Sequence, residues 1–142
     1  MQRSWINSEL AQVALFEGLS KQELRQVSAM TTRVEAPAGR VLVKQGAPGQ
    51  EFIVMIDGEV QVVRDDRLLA TRGPGDHVGE MALVERQPRS ATVIASTPVV
   101  IEVMSRPDFR DLIHGVPDVA ARIAATVAER RAHLDALART DV

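Results

Sequence analysis

The spacing of apolar and polar positions divides the chain into a helical beginning, a β-rich middle and a helical end. Residues 4–30 carry apolar side chains at helical spacing, at Trp5, Ile6, Leu10 and Val13. A second helix is predicted to begin at Ser20, because Ser20 and Glu23 have the spacing of a capping box. We therefore expect helices before the first strand.

Residues 31–104 consist of short runs rich in β-branched residues, separated by turn residues. The runs are VLV, FIVMI, VQVV, LLAT, ATVIA and VVIEV. Asp57-Gly58 predicts a hairpin between FIVMI and EVQVV, since glycine accepts the positive φ of such turns. Evenly spaced turns between many short strands favour a closed or rolled sheet, which hides its edges.

Helical spacing returns after residue 105. Ser105 is the predicted N-cap of a helix that Gly115 ends, and Pro117 opens a last helix. One broad face of that helix is apolar, with Val119, Ile123, Val127 and Leu134. This face is expected to pack on its own domain, although the length of the helix also permits a homodimer. Arg130 breaks a clean heptad, and Arg130 and Arg131 are predicted to be solvated.

Length and composition fit one domain over residues 1–142, with the β-roll at about 31–104 and the C-terminal helices at about 106–139. The net charge of -2 gives no reason to expect nucleic-acid or membrane binding, so any anion site must be local. The absence of cysteine excludes disulfides and thiolate metal sites. Without a signal-peptide or membrane-spanning run, a cytoplasmic location is expected.

One segment, residues 78–92, contains residue types that packing alone does not require. A glycine, a short apolar helix and a Pro-Arg pair make a loop that can direct several backbone N–H groups at one point. Arg89 adds a planar fork of donors suited to phosphate oxygens. Glu80 beside a phosphate is favourable only if its carboxylate accepts a hydrogen bond from a neutral donor, such as a ribose hydroxyl. The pair therefore indicates a sugar phosphate.

The same segment resembles the phosphate-binding cassette of the cyclic-nucleotide-binding domain family, which includes bacterial catabolite activator proteins and regulatory subunits of cyclic-AMP-dependent kinase. The matching residues are Gly79-Glu80-Met81-Ala82-Leu83 followed by Pro88-Arg89-Ser90-Ala91-Thr92. A second motif, Gly46-Ala47-Pro48-Gly49-Gln50-Glu51-Phe52 followed by Ile56-Asp57-Gly58-Glu59-Val60, precedes it. The resemblance spans residues 16–112. It implies an α+β, mainly β fold: a double-stranded β-helix (jelly roll) with N-terminal helices, a short cassette helix and two C-terminal helices.

The resemblance also implies roles for single residues. Glu80 would accept the ribose 2′-hydroxyl, and Arg89 would pair with the exocyclic phosphate oxygens. Gly79 would give the turn room, and the N–H groups of Ala82 and Ser90 would complete the phosphate cradle. Apolar contacts to ribose or base are expected from Leu83, Val62 and Ala91, with Met81 in the same cassette.

Recognition of the base is the less defined part of the resemblance. In the catabolite activator branch a Thr-Ser pair on the long helix contacts adenine, and ungapped counting from Arg89 places Leu134 and Asp135 there. Val78 also replaces a phenylalanine that is frequent before the cassette glycine. Serine after the arginine resembles binders of cyclic AMP, whereas threonine there is associated with cyclic GMP. We expect cyclic AMP, with cyclic GMP as the alternative.

Three functions are compatible with these residues. The first is a non-enzymatic sensor that converts cyclic nucleotide binding into movement of the C-terminal helices, acting on a separate output protein. The second is the effector domain of a transcription regulator whose DNA-binding part is absent from this chain, so that the chain itself contacts no nucleic acid. The third is a cupin-like metal enzyme using His77 and Glu80. That function is disfavoured because two closely spaced histidines are missing, and we expect no metal.

Overall fold

The computed structural model describes residues 9–140, with side chains described as far as residue 137. Trp5 and Ile6 lie outside the described residues. Residues 9–11 are helical, and a 3-10 helix, Ala14–Phe16, follows them. The α-helices that come after it in the described residues are α1 (Lys21–Ala29), α2 (Glu80–Glu85), α3 (Arg106–Gly115) and α4 (Pro117–Thr140). The strands are β1 (Thr31–Ala36), β2 (Val41–Val43), β3 (Glu51–Asp57), β4 (Val60–Arg64), β5 (Arg67–Arg72), β6 (His77–Val78), β7 (Thr92–Ala95) and β8 (Val99–Ser105).

The strands form two antiparallel four-stranded sheets. One has the order β1-β8-β3-β6 and the other the order β2-β7-β4-β5. An apolar cluster fills the space inside the roll, and its members include Ile53, Val60, Val93 and Ile101. The predicted α+β fold, a mainly β jelly roll with flanking helices, is confirmed.

Strand β3 is buried on both faces, which explains its uninterrupted apolar run. Ile53 and Met55 point into the roll, whereas Phe52 and Val54 belong to a second apolar cluster beneath the helices. Successive side chains of a strand point to opposite faces, so a strand between two apolar layers needs apolar residues at every position. Through this second cluster, α3 and α4 pack against the outside of the sheet.

The prediction of a hairpin at Asp57-Gly58 is wrong. Strand β3 pairs with β6 and β8, whereas β4 pairs with β5 and β7, so the turn carries the chain from one sheet to the other. Gly58 is still required there: its φ is +85°, and a Cβ would lie 2.2 Å from the carbonyl oxygen of Pro98. A hairpin joins β4 to β5 through Asp65 and Asp66, both with positive φ.

The helix ends follow the predicted local signals. The Ser20 hydroxyl accepts from the Glu23 N–H at 3.1 Å, and the Glu23 carboxylate accepts from the Ser20 N–H at 2.9 Å. Ser105 likewise caps α3 by accepting from the Asp108 N–H at 3.3 Å. Helix α3 ends at Gly115 and α4 begins at Pro117. Between the helical residues 9–11 and the predicted Ser20 cap, a 3-10 turn, Ala14–Phe16, replaces part of the predicted helix.

Candidate functional site

A cleft lies between the roll, the 79–92 segment and α4. Nine of the ten residues predicted to bind a ligand line it: Val62, Gly79, Glu80, Met81, Ala82, Arg89, Ser90, Ala91 and Leu134. The roll contributes further apolar walls through Val43 and Val93. The cleft therefore joins apolar walls to a few converging charged groups, which is typical of a site for a small organic anion.

Arg89 is held in the cleft by backbone carbonyls. Its Nη1 donates to Gly79 O at 2.9 Å and its Nη2 donates to Glu51 O at 2.7 Å, and only 7% of the residue is exposed. Burial lowers the pKa of Arg89, and the carboxylates of Glu51 and Glu80 partly oppose this shift. A guanidinium has five N–H donors, so three remain beyond these two bonds. Arg89 is thus oriented and still able to bind an anion.

The turn at residues 46–49 fixes the backbone around Arg89. The Gly46 N–H donates to Arg89 O at 2.9 Å, and the Arg89 N–H donates to Ala47 O at 2.8 Å. Gly49 packs so closely on α2 that a Cβ there would lie 2.4 Å from the Cβ of Ala82. The two motifs found in the sequence therefore meet in space, and the first supports the second.

Glu80 is almost fully buried at the start of α2, with 1% exposed. Its Oε1 forms an ion pair with Arg130 Nη1, and its Oε2 lies 3.6 Å from His77 Nδ1. Burial alone would raise the pKa of Glu80, but His77 and the positive charge of Arg130 outweigh it and hold the pKa below its ordinary value. Glu80 is therefore a buried carboxylate, an acceptor for a hydroxyl group.

The prediction that Arg130 and Arg131 are solvated is wrong for Arg130, whereas the side chain of Arg131 is 40% exposed. Arg130 reaches Glu80 across the cleft, and its Nη2 also donates to His77 O at 3.0 Å, so its side chain is only 19% exposed. Arg131 pairs with Glu85, which raises the pKa of Arg131 above its ordinary value. Successive arginines of α4 thus bind the two ends of α2, the helix that carries the predicted ribose acceptor.

Two predicted contacts lie elsewhere. Leu83 belongs to the apolar cluster beneath the helices and does not line the cleft. Asp135 is exposed on α4, whereas Leu134 is buried and lines the cleft. Ungapped counting from Arg89 identified the part of α4 that lies near the cleft, but it could not show which side chains of α4 face the cleft.

Sequence reasoning missed three polar residues of the cleft, namely Arg72, Arg130 and His133. Arg130 and His133 come from α4, far along the chain from residues 79–92, whereas Arg72 ends β5 seven residues before Gly79. None of the three belongs to a motif that the sequence analysis identified. Among residues 9–140, no group of three or more histidine, aspartate or glutamate side chains could hold a metal ion. No helix in that described range is long and apolar enough to cross a membrane.

Comparison with known proteins gives matches in sequence and in fold. Residues 33–115, more than half of the chain, match the family described as cyclic nucleotide-binding domain. The Pycsar effector protein XpPycTIR of Xanthomonas perforans is 41% identical over 115 residues, which make up 80% of this chain. The match covers 38% of that protein, so the chain spans well under half the length of this relative.

Two solved structures extend the comparison. A structure described as Sp-2Cl-cAMPS bound to PKAR CBD2 superposes with a TM-score of 0.85 at 25% identity, covering 96% of this chain and 91% of that one. The catabolite activator protein of Thermus thermophilus superposes with a TM-score of 0.78 at 31% identity, covering 89% and 62%.

Proposed function

The chain belongs to the cyclic nucleotide-binding domain family, and on that premise we propose that it binds cyclic AMP and regulates an output function located outside its own residues. The observation that carries the proposal is the meeting of Arg89 and Glu80 in one cleft. Domains of this family are regulatory and not catalytic. We therefore expect binding without chemical conversion of the ligand.

The ligand would be held at two points. Arg89, oriented by Gly79 O and Glu51 O, would donate to the exocyclic oxygens of the cyclic phosphate. The backbone N–H groups of Ala82 and Ser90 would complete this cradle. Glu80 would accept the ribose 2′-hydroxyl, because a buried carboxylate is a strong acceptor for a neutral hydroxyl.

Support for cyclic AMP over cyclic GMP comes from Ser90 and from a related structure. Ser90 lines the cleft directly after Arg89, where serine resembles binders of cyclic AMP. The similar PKAR CBD2 structure is described as bound to Sp-2Cl-cAMPS. Cyclic GMP is therefore the ligand against which cyclic AMP must be compared.

A thermal-shift measurement tests the proposal directly. A ligand that binds only the folded state, present at about 100 times its dissociation constant, adds about 2.7 kcal/mol to the free energy of unfolding. We expect cyclic AMP to raise the melting temperature by several degrees, with a smaller rise at the same concentration of cyclic GMP. 5′-AMP, which lacks the cyclic phosphate, is the control. An unchanged melting temperature with both cyclic nucleotides would contradict the proposal.

We propose that ligand binding moves helix α4, because Arg130 connects this helix to Glu80, the proposed ribose acceptor. A 2′-hydroxyl that binds Glu80 must share or displace the Arg130 contact. Ligand binding would therefore change the balance between arrangements of α4. Leu134, buried one helical turn beyond Arg130, would follow the same movement.

Hydrogen exchange of the α4 amides tests this coupling. In Arg130→Met, exchange over residues 126–137 is expected to become about tenfold faster, because Glu80 loses the ion pair that holds the helix. Arg131→Met is the matched control, since its pair with Glu85 is more exposed and should contribute little. Equal exchange in wild type and Arg130→Met, with and without cyclic AMP, would refute a role for Arg130 in the coupling.

The identity of the output is a separate question. The Pycsar effector and the catabolite activator protein are both longer than the region they share with this chain. We propose that the chain acts as a sensor unit, and the similarity to a catabolite activator protein favours a transcription regulator as a second candidate. Homodimer formation through α4 and a cytoplasmic location remain predictions.

A further inference from the structure

Arg72 is a third arginine in the cleft, and its environment differs from that of Arg89 and Arg130. Arg89 donates to two carbonyls and Arg130 pairs with Glu80. Arg72 is the last residue of β5, and its side chain forms no hydrogen bond or ion pair with any residue of the described part of the chain; its Nε is buried. The guanidinium is thus partly desolvated without an acceptor.

The electrostatic surroundings of Arg72 are unfavourable as well. Burial, and then the charge of Arg130, lower the pKa of Arg72, while the carboxylates of Asp76, Glu80 and Glu129 partly compensate. A desolvated donor without a partner costs about 1–3 kcal/mol, more when the group is charged. Folding alone gives no reason for an arginine here, whereas an acceptor on a bound ligand would provide one.

The position of Arg72 indicates which part of the ligand it meets. A ligand held through its phosphate by Arg89 and through its ribose by Glu80 uses the 79–92 segment for both contacts. Its base then faces the remaining walls, which β5 and α4 provide through Leu69, Ala70 and Leu134. Arg72 is on β5, the strand that provides two of these walls, it lines the cleft, and its guanidinium has only donors to offer.

We propose that Arg72 donates a hydrogen bond to a carbonyl oxygen or an unprotonated ring nitrogen of the nucleotide base, and so determines base selectivity. The inference rests on the proposed function, which supplies the ligand. An exocyclic amino group of a base cannot accept a hydrogen bond from a guanidinium. Bases that differ in the positions of their amino groups and acceptor atoms will therefore be bound with different affinities.

The test compares Arg72→Met with wild type by calorimetry, using cyclic AMP, cyclic GMP, cyclic CMP and cyclic UMP. Methionine keeps the apolar stem and removes the donors. We expect the affinity for the best-bound nucleotide to fall about tenfold, and the ratio between best- and worst-bound nucleotides to fall by a similar factor. The ligand-free variant should melt at the same temperature as wild type or higher, because an unpaired charge next to Arg130 has been removed.

Two further variants sharpen the result. Arg67→Met changes the first residue of the same strand, which is exposed and outside the cleft lining, and should leave selectivity unchanged. Arg72→Lys keeps a cationic donor and should restore part of the selectivity. A uniform loss for all four nucleotides, or no loss, would overturn the base contact. Failure of wild type to bind any of the four would instead overturn the proposed function itself.

Discussion

Replacing Arg89 with methionine is expected to weaken cyclic AMP binding by about 100-fold or more. The guanidinium is buried, and two carbonyls orient it before any ligand arrives, so little ordering is needed on binding. A hydrogen bond to a charged group contributes about 1.5–3 kcal/mol, and a cyclic phosphate offers two exocyclic oxygens. Two such bonds correspond to a factor of at least about 100 in affinity. Calorimetric titration measures this loss directly.

The control for Arg89 is Arg86→Met, the same substitution three residues earlier in the same segment. Arg86 follows the end of α2 and does not line the cleft. Its replacement removes the same formal charge, so it reports any general electrostatic effect on an anionic ligand. Comparable losses in both variants would argue against a direct contact from Arg89. Circular dichroism of both variants separates weakened binding from unfolding.

Replacing Gly79 with alanine should impair folding and binding together. The φ of Gly79 is +93°, which alanine adopts at a cost of about 1–2 kcal/mol. The added Cβ would lie 2.7 Å from Arg89 Nη1 and 3.1 Å from Glu51 O, so the guanidinium must leave the carbonyls that orient it. We expect the free energy of unfolding to fall by about 2–4 kcal/mol and the affinity for cyclic AMP to fall about 30-fold.

Gly39 provides the matched control for this substitution. Its φ is +90°, close to that of Gly79, but no atom lies within 4 Å of the point that an added Cβ would occupy. Gly39→Ala should therefore show the backbone strain alone, about 1–2 kcal/mol, with unchanged affinity. Urea unfolding and calorimetry on both variants give the two quantities. If Gly79→Ala bound cyclic AMP as tightly as Gly39→Ala, the close approach of Gly79 to Arg89 would have no role in binding.

Local signals in the sequence were sufficient where a few neighbouring residues decide the conformation. The capping box at Ser20 and Glu23, the N-cap at Ser105 and the helix start at Pro117 were all predictable, because each depends on hydrogen bonds or φ values within about four residues. The mainly β class followed equally from short β-branched runs between turns. Family membership followed from two contiguous motifs.

Sequence patterns failed where strand pairing decides the outcome. Asp57-Gly58 has the composition of a hairpin turn, yet it joins two different sheets, because β3 and β4 find their partners far along the chain. A two-residue turn signal indicates that the chain reverses or bends. It does not indicate which strands hydrogen-bond, since that depends on how the apolar layers pack.

The fold class, the family and the two charged residues of the cleft were therefore predictable from local patterns, since Glu80 and Arg89 lie within one continuous motif. How α4 meets that motif, and which residues beyond it line the cleft, depends on tertiary packing. Arg130 is 50 residues from Glu80 and on another helix, and Arg72 is on strand β5. No single helix or strand period therefore relates these three residues. Their roles depend on which helix face and which strand end the packed core directs toward the cleft.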